Sequence, residues 1–309
     1  MGNQNSGKRI HKINERFFRE WNPNMAYILG FTCADGCVYR GTLSWEISNK
    51  FKSDKLLLER FSKEMNSTYF VEERPKSFRL RINSHYIAEE IGKLGVLPNK
   101  TKILQFPDVP KSVLRHFIRG FLDGDGWISM RNKRKSNEIN VGFVNGSKRF
   151  MMSLVKQIKK NIFVNNLNLR TAHKITKKGI KSTYYKIDFY GRDAYRIIKY
   201  LFDDLTDNNL SLFRKYEKQS IARKLFEESQ KRIKFGKKWV RIEKDNNVDI
   251  RHEMIRMFSK EKKLPKEISS KLGVSLATIY RWLEKINLRI PAEKGSLEWK
   301  KRIFRGING

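Results

Sequence analysis

Two aspartates, Asp35 and Asp125, occupy the same place in two similar stretches, Tyr27–Cys37 and Phe117–Trp127. In each stretch an apolar run ends in Asp-Gly, and glycine just past a last helical turn is a common stop. Gly30, Phe31, Ala34, Asp35 and Gly36 answer in register to Gly120, Phe121, Gly124, Asp125 and Gly126. Gly30 and Ala34 share one helical face, with Ala26 a turn earlier, and Gly120 and Gly124 form the same small stripe. Facing stripes of small residues let two helices bring their backbones unusually close. Packed in that way, the helices deliver two carboxylates to one spot. Paired oxygen donors suit a hard divalent cation; without one, mutual repulsion raises one pKa. One apolar helix ending in Asp-Gly is usually just a helix and a turn. Its recurrence in register points to chemistry. Each apolar run is far short of the ~20 residues that cross a bilayer.

These residues resemble the LAGLIDADG motif of homing endonucleases in its single-chain, two-repeat form. The motif cores are Ile28–Gly36 and Ile118–Gly126, and the resemblance covers about Asn24–Tyr216. It implies an α+β fold of two pseudo-symmetric αββαββα repeats forming a saddle of antiparallel sheets. It also implies that Asp35 and Asp125, with the backbones of Ala34 and Gly124, hold two or three Mg2+ ions for phosphodiester hydrolysis. One departure is Cys33, which stands where the second copy has Asp123. By the same resemblance Lys100 and Lys215 lie near the scissile phosphates, with Lys102 and Arg214 as neighbouring candidates. A group I intron maturase, or a LAGLIDADG and helix-turn-helix transcription regulator, is the non-nuclease alternative. Retention of both acids disfavours it. An intein is not expected, since the chain neither begins with Cys or Ser nor ends in His-Asn.

The elements that must position the acids follow from periodicity. After the first motif helix, Val38–Ser48 alternates as a strand, with Leu43, Trp45 and Ile47 inward. Asp54–Met65 is an amphipathic helix, Thr68–Arg74 and Phe78–Asn83 a hairpin, and Tyr86–Leu94 a closing helix. The second copy repeats the order. Its hairpins are Trp127–Arg131 with Glu138–Asn145 and Leu169–Thr176 with Ser182–Tyr190, and its helices are Ser147–Ile162 and Arg192–Phe202. The expected divisions are a basic lead-in over 1–23, a first repeat over 24–106 and a second repeat with exit helix over 107–226. A charged linker over 227–248 and a helix-turn-helix domain with tail over 249–309 follow.

The chain carries 66 Lys+Arg against 32 Asp+Glu, a formal charge of +34 spread along its length. A folded protein this basic meets a polyanion, and double-stranded DNA is the expected partner, with the protein's own intron RNA as the alternative. Strands with one basic face suit the major groove. Arg40, Ser44, Glu46, Arg79 and Arg81 are expected there in the first half, and Asn140 and Lys186 in the second. Arg74, Lys76, Arg131, Lys133, Arg134, Lys174, Lys177 and Lys178 lie at or near hairpin tips and suit phosphates. Lys237, Lys238 and Trp239 would track the backbone from the linker. Near the C-terminus, Pro265–Leu283 resembles a helix-turn-helix, turning at Gly273 with Ser275 as a cap; Ser275, Leu276, Thr278, Arg281 and Lys285 would face DNA. The two cysteines form neither a disulfide framework nor a C-x-x-C pair. No membrane span or targeting segment is seen, and an intracellular monomer is expected.

Overall fold

In the computed structural model, residues 11–133, 136–165, 167–175, 179 and 181–288 are described, without the side chains of 131–137. After a short 3-10 turn at Phe17–Arg19, helix α1 spans Pro23–Asp35. Asn22 caps it, its side chain accepting from the amides of Asn24 and Met25, and Pro23 occupies the first turn. Every residue from Met25 to Cys33 is buried, so α1 is a central helix with no solvent face. Next come β1 (Gly36–Tyr39), β2 (Thr42–Ser48), α2 (Asp54–Glu64), β3 (Val71–Arg74), β4 (Ser77–Asn83) and α3 (His85–Lys93). The sheet is antiparallel in the order β1-β2-β4-β3. The expected single strand Val38–Ser48 is therefore a hairpin. Arg40 and Gly41 both take positive φ, 45° and 73°, which makes a two-residue turn whose twist matches the strands.

The second half runs in the same order: α4 (Leu114–Asp125), β5 (Gly126–Lys133), β6 (Ser136–Asn145), α5 (Lys148–Asn161), β7 (Arg170–Ile175), β8 (Lys181–Tyr190) and α6 (Gly191–Phe202). Its sheet is β5-β6-β8-β7. The protein is thus α+β with the αββαββα unit present twice. Alternate strand residues feed the core, Leu43, Trp45, Leu80 and Ile82 from one sheet and Val141, Phe143, Ile187 and Phe189 from the other. Burying each such side chain stabilises by about 1.5–3 kcal/mol. Trp45 donates its indole N–H to Thr32 Oγ1 at 2.8 Å, fixing the first sheet to α1.

Helix α7 spans Phe213–Phe235. Two compact units divide between Phe226 and Glu227. In the second unit α8 (Lys237–Asn246), α9 (Ile250–Ile255), a π turn (Arg256–Lys260), α10 (Pro265–Leu272) and α11 (Leu276–Lys285) enclose their own core. Pro265 opens α10, Gly273 ends it at φ 59°, and Ser275 caps α11 by accepting from the Thr278 amide. The segment expected to be a linker is helical instead. Trp239, Val240 and Ile242 are buried on one side of α8, and Trp239 stacks on Phe235 with centroids 4.0 Å apart. Trp239 is therefore a core residue and not a contact laid over a groove. No described helix is long and apolar enough to cross a membrane.

Candidate metal and nucleic-acid site

Helices α1 and α4 meet backbone against backbone at their glycines. A Cβ added at Gly30 would lie 2.0 Å from the Phe117 carbonyl oxygen, and one at Gly120 would lie 2.0 Å from the Tyr27 carbonyl oxygen. One turn on, a Cβ at Gly124 would meet the Cβ of Ala34 at 2.3 Å and Asp35 Oδ2 at 3.4 Å. Nothing larger than glycine fits these points. Asp35 and Asp125 end the two helices and are electrostatic neighbours: Asp35 helps raise the pKa of Asp125.

Each helix end is capped by a lysine from elsewhere in the chain. Lys100 Nζ donates to the carbonyls of Gly36 at 2.5 Å and Ala34 at 3.3 Å. Lys215 Nζ donates to those of Leu122, Asp123 and Gly126 at 2.5, 2.8 and 2.8 Å. A cation at a helix C-terminus meets the negative end of the helix dipole and the carbonyls left unpaired there. Lys215 is 5% exposed, and burial pulls its ammonium down to about 8. Its three N–H donors are directed at these carbonyls.

Asp35 is exposed and Asp125 half-buried, each as the last residue of its helix. Loss of water raises Asp35, with Lys215, Lys100 and Arg214 opposing. Asp125 is pushed up to about 6, first by burial and then by Asp35, while Asn145, donating to its Oδ2 at 3.2 Å, works the other way. Two mutually repelling carboxylates form an all-oxygen donor set suited to a hard divalent cation. Among the described residues no group of three or more His, Cys, Asp or Glu is gathered to hold a metal.

Behind the acids the two motif copies differ. Asp123 is 2% exposed; its Oδ2 accepts from the Tyr27 hydroxyl at 2.6 Å and the Leu212 amide at 2.8 Å. Its Oδ1 has no partner, and burial holds its pKa up. One turn earlier Arg119, 1% exposed, donates to the carbonyls of Leu210 and Leu201, both at 3.0 Å, and lies over the Tyr27 ring. The register-equivalent residues in the first copy are Cys33 and Leu29. Cys33 is buried and its thiol is pushed up to about 12, chiefly by desolvation, so it behaves as an apolar residue.

Residues 245–292 match the model of the homeodomain-like domain. Two curated proteins of Methanocaldococcus jannaschii are similar to the chain. The DNA-directed RNA polymerase subunit Rpo1C is 28% identical over 202 residues, 61% of this chain and 22% of that protein. The probable translation initiation factor IF-2 is 26% identical over 248 residues, 74% of this chain and 18% of that protein. This chain thus spans about a fifth of the length of either relative. In fold the chain is similar to LAGLIDADG homing endonucleases. The solved structures of the meganucleases I-AabMI and I-CpaMI, each bound to uncleaved DNA, are 11% and 12% identical, both with a TM-score of 0.44. They cover 68% and 70% of this chain and 97% and 96% of their own. I-SmaMI, bound to an uncleaved DNA target in the presence of calcium ions, has a TM-score of 0.41 at 12% identity, covering 69% of this chain and 92% of its own.

The strand faces opposite the core carry the residues expected to meet DNA. Arg40, Arg74, Lys76 and Arg81 are exposed, as are Lys174, Lys237 and Lys238. Arg79 lies in register between Glu46 and Glu72, and its Nε is buried without a partner. Lys186 is half-buried opposite Arg170, and Glu46 accepts from the Ser77 hydroxyl at 2.5 Å. Two of the expected residues are buried. Ser44 is buried on the central strand β2, a short side chain between its cross-strand neighbours Cys37 and Arg81. Asn140 is 4% exposed; it accepts from the Trp127 indole at 2.5 Å and donates to the Phe189 carbonyl at 3.0 Å. Trp127 lies so close over Gly142 that no Cβ fits there. Sequence reasoning passed over this roof, although Trp127 directly follows the Asp125-Gly126 pair. On α11, Arg281 and Lys285 are exposed and Thr278 half-buried, while Ser275 is engaged as cap. Lys285 bonds the Lys234 carbonyl. Arg134, Lys177 and Lys178 lie outside the described residues, as do the side chains of Arg131 and Lys133.

Proposed function

We propose that the protein is a monomeric, site-specific DNA endonuclease that cuts both strands of a long nonpalindromic site by Mg2+-dependent hydrolysis. The observation that carries this reading is the pair of acids. Two equivalent helices, packed too closely for a side chain at Gly30, Gly120 or Gly124, deliver one carboxylate each to a shared spot in a strongly basic chain. Asp35 and Asp125 would hold the cation, with the Ala34 and Gly124 backbones beside them. Bound there, magnesium supplies an activated water and charge neutralisation at the scissile phosphate.

Lys100 and Lys215 hold the helix ends, and their charges oppose the rise that burial imposes on both acids. Arg40, Arg79, Arg81 and Lys186 would read base edges from the sheets, while Arg74, Lys76 and Lys174 hold phosphates. Thr278, Arg281 and Lys285 would present α11 to the major groove, as a homeodomain-like unit does. Two unlike halves in one chain imply a target without a dyad. The relatives offer further support. An RNA polymerase subunit and an initiation factor share no activity, yet this chain resembles a fraction of each. That is the pattern of an inserted, mobile module.

Incubating the protein with Mg2+ and DNA spanning its gene's insertion junction, rejoined without the gene, tests the reading. Specific double-strand cleavage is expected. Tight binding with no cleavage would favour a transcription regulator, and stimulated splicing of the surrounding RNA a maturase.

A further inference from the structure

The two sheets can be laid over each other residue by residue. Cys37 and Trp127 each follow an Asp-Gly pair, and their cross-strand partners are Ser44 and Gly142. Two residues further along the central strands, on the face away from the core, a cross-strand row runs Glu46–Arg79–Glu72 in the first sheet. The matching row in the second sheet is Val144–Lys186–Arg170. One half thus places an arginine between two acids where the other places a lysine between a valine and an arginine. Acids on a face turned toward DNA oppose its phosphates, and these stand in a chain where Lys+Arg outnumber Asp+Glu by 66 to 32.

Within the first row the carboxylates are engaged and the guanidinium is not. Glu46 accepts from the Ser77 hydroxyl at 2.5 Å, and Glu72 from Arg74 at 3.2 Å. Arg79 makes no hydrogen bond or ion pair among the described residues, and its Nε is buried. Its Nη edge is left to an acceptor outside the chain. Side chains directly opposite across two strands stand about 5 Å apart at Cβ, so Arg79 and Glu46 can reach adjoining base edges in one groove. Guanine offers the two acceptors that an arginine fork takes. An ionised carboxylate only accepts. It matches the amino group of cytosine or adenine and repels O4 of thymine and O6 of guanine. The second row holds no carboxylate: Val144 and Lys186 are half-buried, and Arg170 bonds Asp188 of the neighbouring row. We infer that Arg79 reads a guanine and Glu46 the amino group of an adjoining cytosine or adenine, a demand that the first sheet makes on its half-site and the second sheet does not make on the other. The inference rests on the site-specific DNA reading above.

Selection of bound duplexes from a library randomised over the junction site, with Ca2+ in place of Mg2+, tests this without cutting. Wild-type protein is expected to enrich a guanine beside a cytosine or adenine in one half-site, with other bases at the guanine position bound ~10–100-fold more weakly. Arg79→Gln should lose that preference and leave the other positions as they were. Arg79→Lys keeps the charge without the fork and should retain the preference in part. The Glu46→Gln amide donates as well as accepts, so thymine or guanine should become tolerated at the adjoining position. Thermal melts confirm that each variant folds. Uniformly weaker binding by Arg79→Gln with the same enriched sequence would make Arg79 a phosphate contact and overturn the inference. An enriched sequence unchanged by Glu46→Gln would overturn it too, as would a wild-type protein that enriches no sequence. A wild-type protein that enriches the guanine step but cuts nothing in Mg2+ supports the inference and counts instead against the nuclease reading.

Discussion

The two halves share one topology but support their acids differently. The first backs Asp35 with an apolar interface, Leu29 and Cys33, and caps its helix with two bonds from Lys100. The second backs Asp125 with buried charge, Arg119 and Asp123, and caps its helix with three bonds from Lys215. The repeat preserves what the close approach demands, glycine at 30 and 120 and an acid at each helix end. It varies what stands behind them, apolar packing in one half and buried polar groups in the other. Those groups add constraint: through Leu201, Leu210 and Leu212 they tie α4 to the chain leading into α7.

The sharpest way to break that comparison is to rebuild the second half as the first. Arg119→Leu alone leaves the buried carbonyls of Leu201 and Leu210 without its guanidinium, and Asp123→Cys alone leaves the Tyr27 hydroxyl and Leu212 amide without their acceptor. Each should cost about 3–5 kcal/mol of unfolding free energy. The double variant Arg119→Leu, Asp123→Cys should recover ~2 kcal/mol or more relative to the sum of the two. Denaturant unfolding checks this, and simple additivity would show that the network is not a unit. A smaller contrast lies in the caps. Lys215→Met removes three bonds to a buried helix end and should cost ~2–3 kcal/mol, against ~1 kcal/mol for Lys100→Met, both read by thermal melts.

The smallest effect is electrostatic. The folded pKa of Asp125, about 6, lies above that of an unfolded aspartate. Between pH ~4 and ~6 the folded chain therefore holds a proton that the unfolded chain has released. This group's contribution falls as pH rises through 6. Asp125→Asn should remove that slope and add ~1–2 kcal/mol above pH 7, after allowing for the half-exposed position. An unchanged pH profile in melts of metal-free protein would place the burial elsewhere.

Much of this was legible in the chain itself. The doubled motif, its small stripe and the alternating strands are local patterns, and local patterns fix helices, sheet faces and the two-repeat order. What escaped were features made by distance or by a single turn. Val38–Ser48 alternates without a break because Arg40 and Gly41 interrupt it only through their φ angles. The charges around Trp239 hid a helix whose apolar side is just Trp239, Val240 and Ile242. Asn140 has the alternation of a groove residue, and only the indole of Trp127 takes it away. The resemblance brought Lys215 near the acids, but nothing in sequence turns its ammonium onto the carbonyls that end α4.

The central claim is that Asp35 and Asp125 form one cation-dependent site. Asp35→Asn and Asp125→Asn, each tested on the rejoined junction DNA, examine it most directly. The account predicts that wild-type protein cuts both strands in Mg2+ and that either variant loses double-strand cutting. Affinity in Ca2+ should stay within ~3-fold of wild type, because the interactions lost are made in the transition state. Double-strand cutting at the wild-type rate by either variant would contradict it.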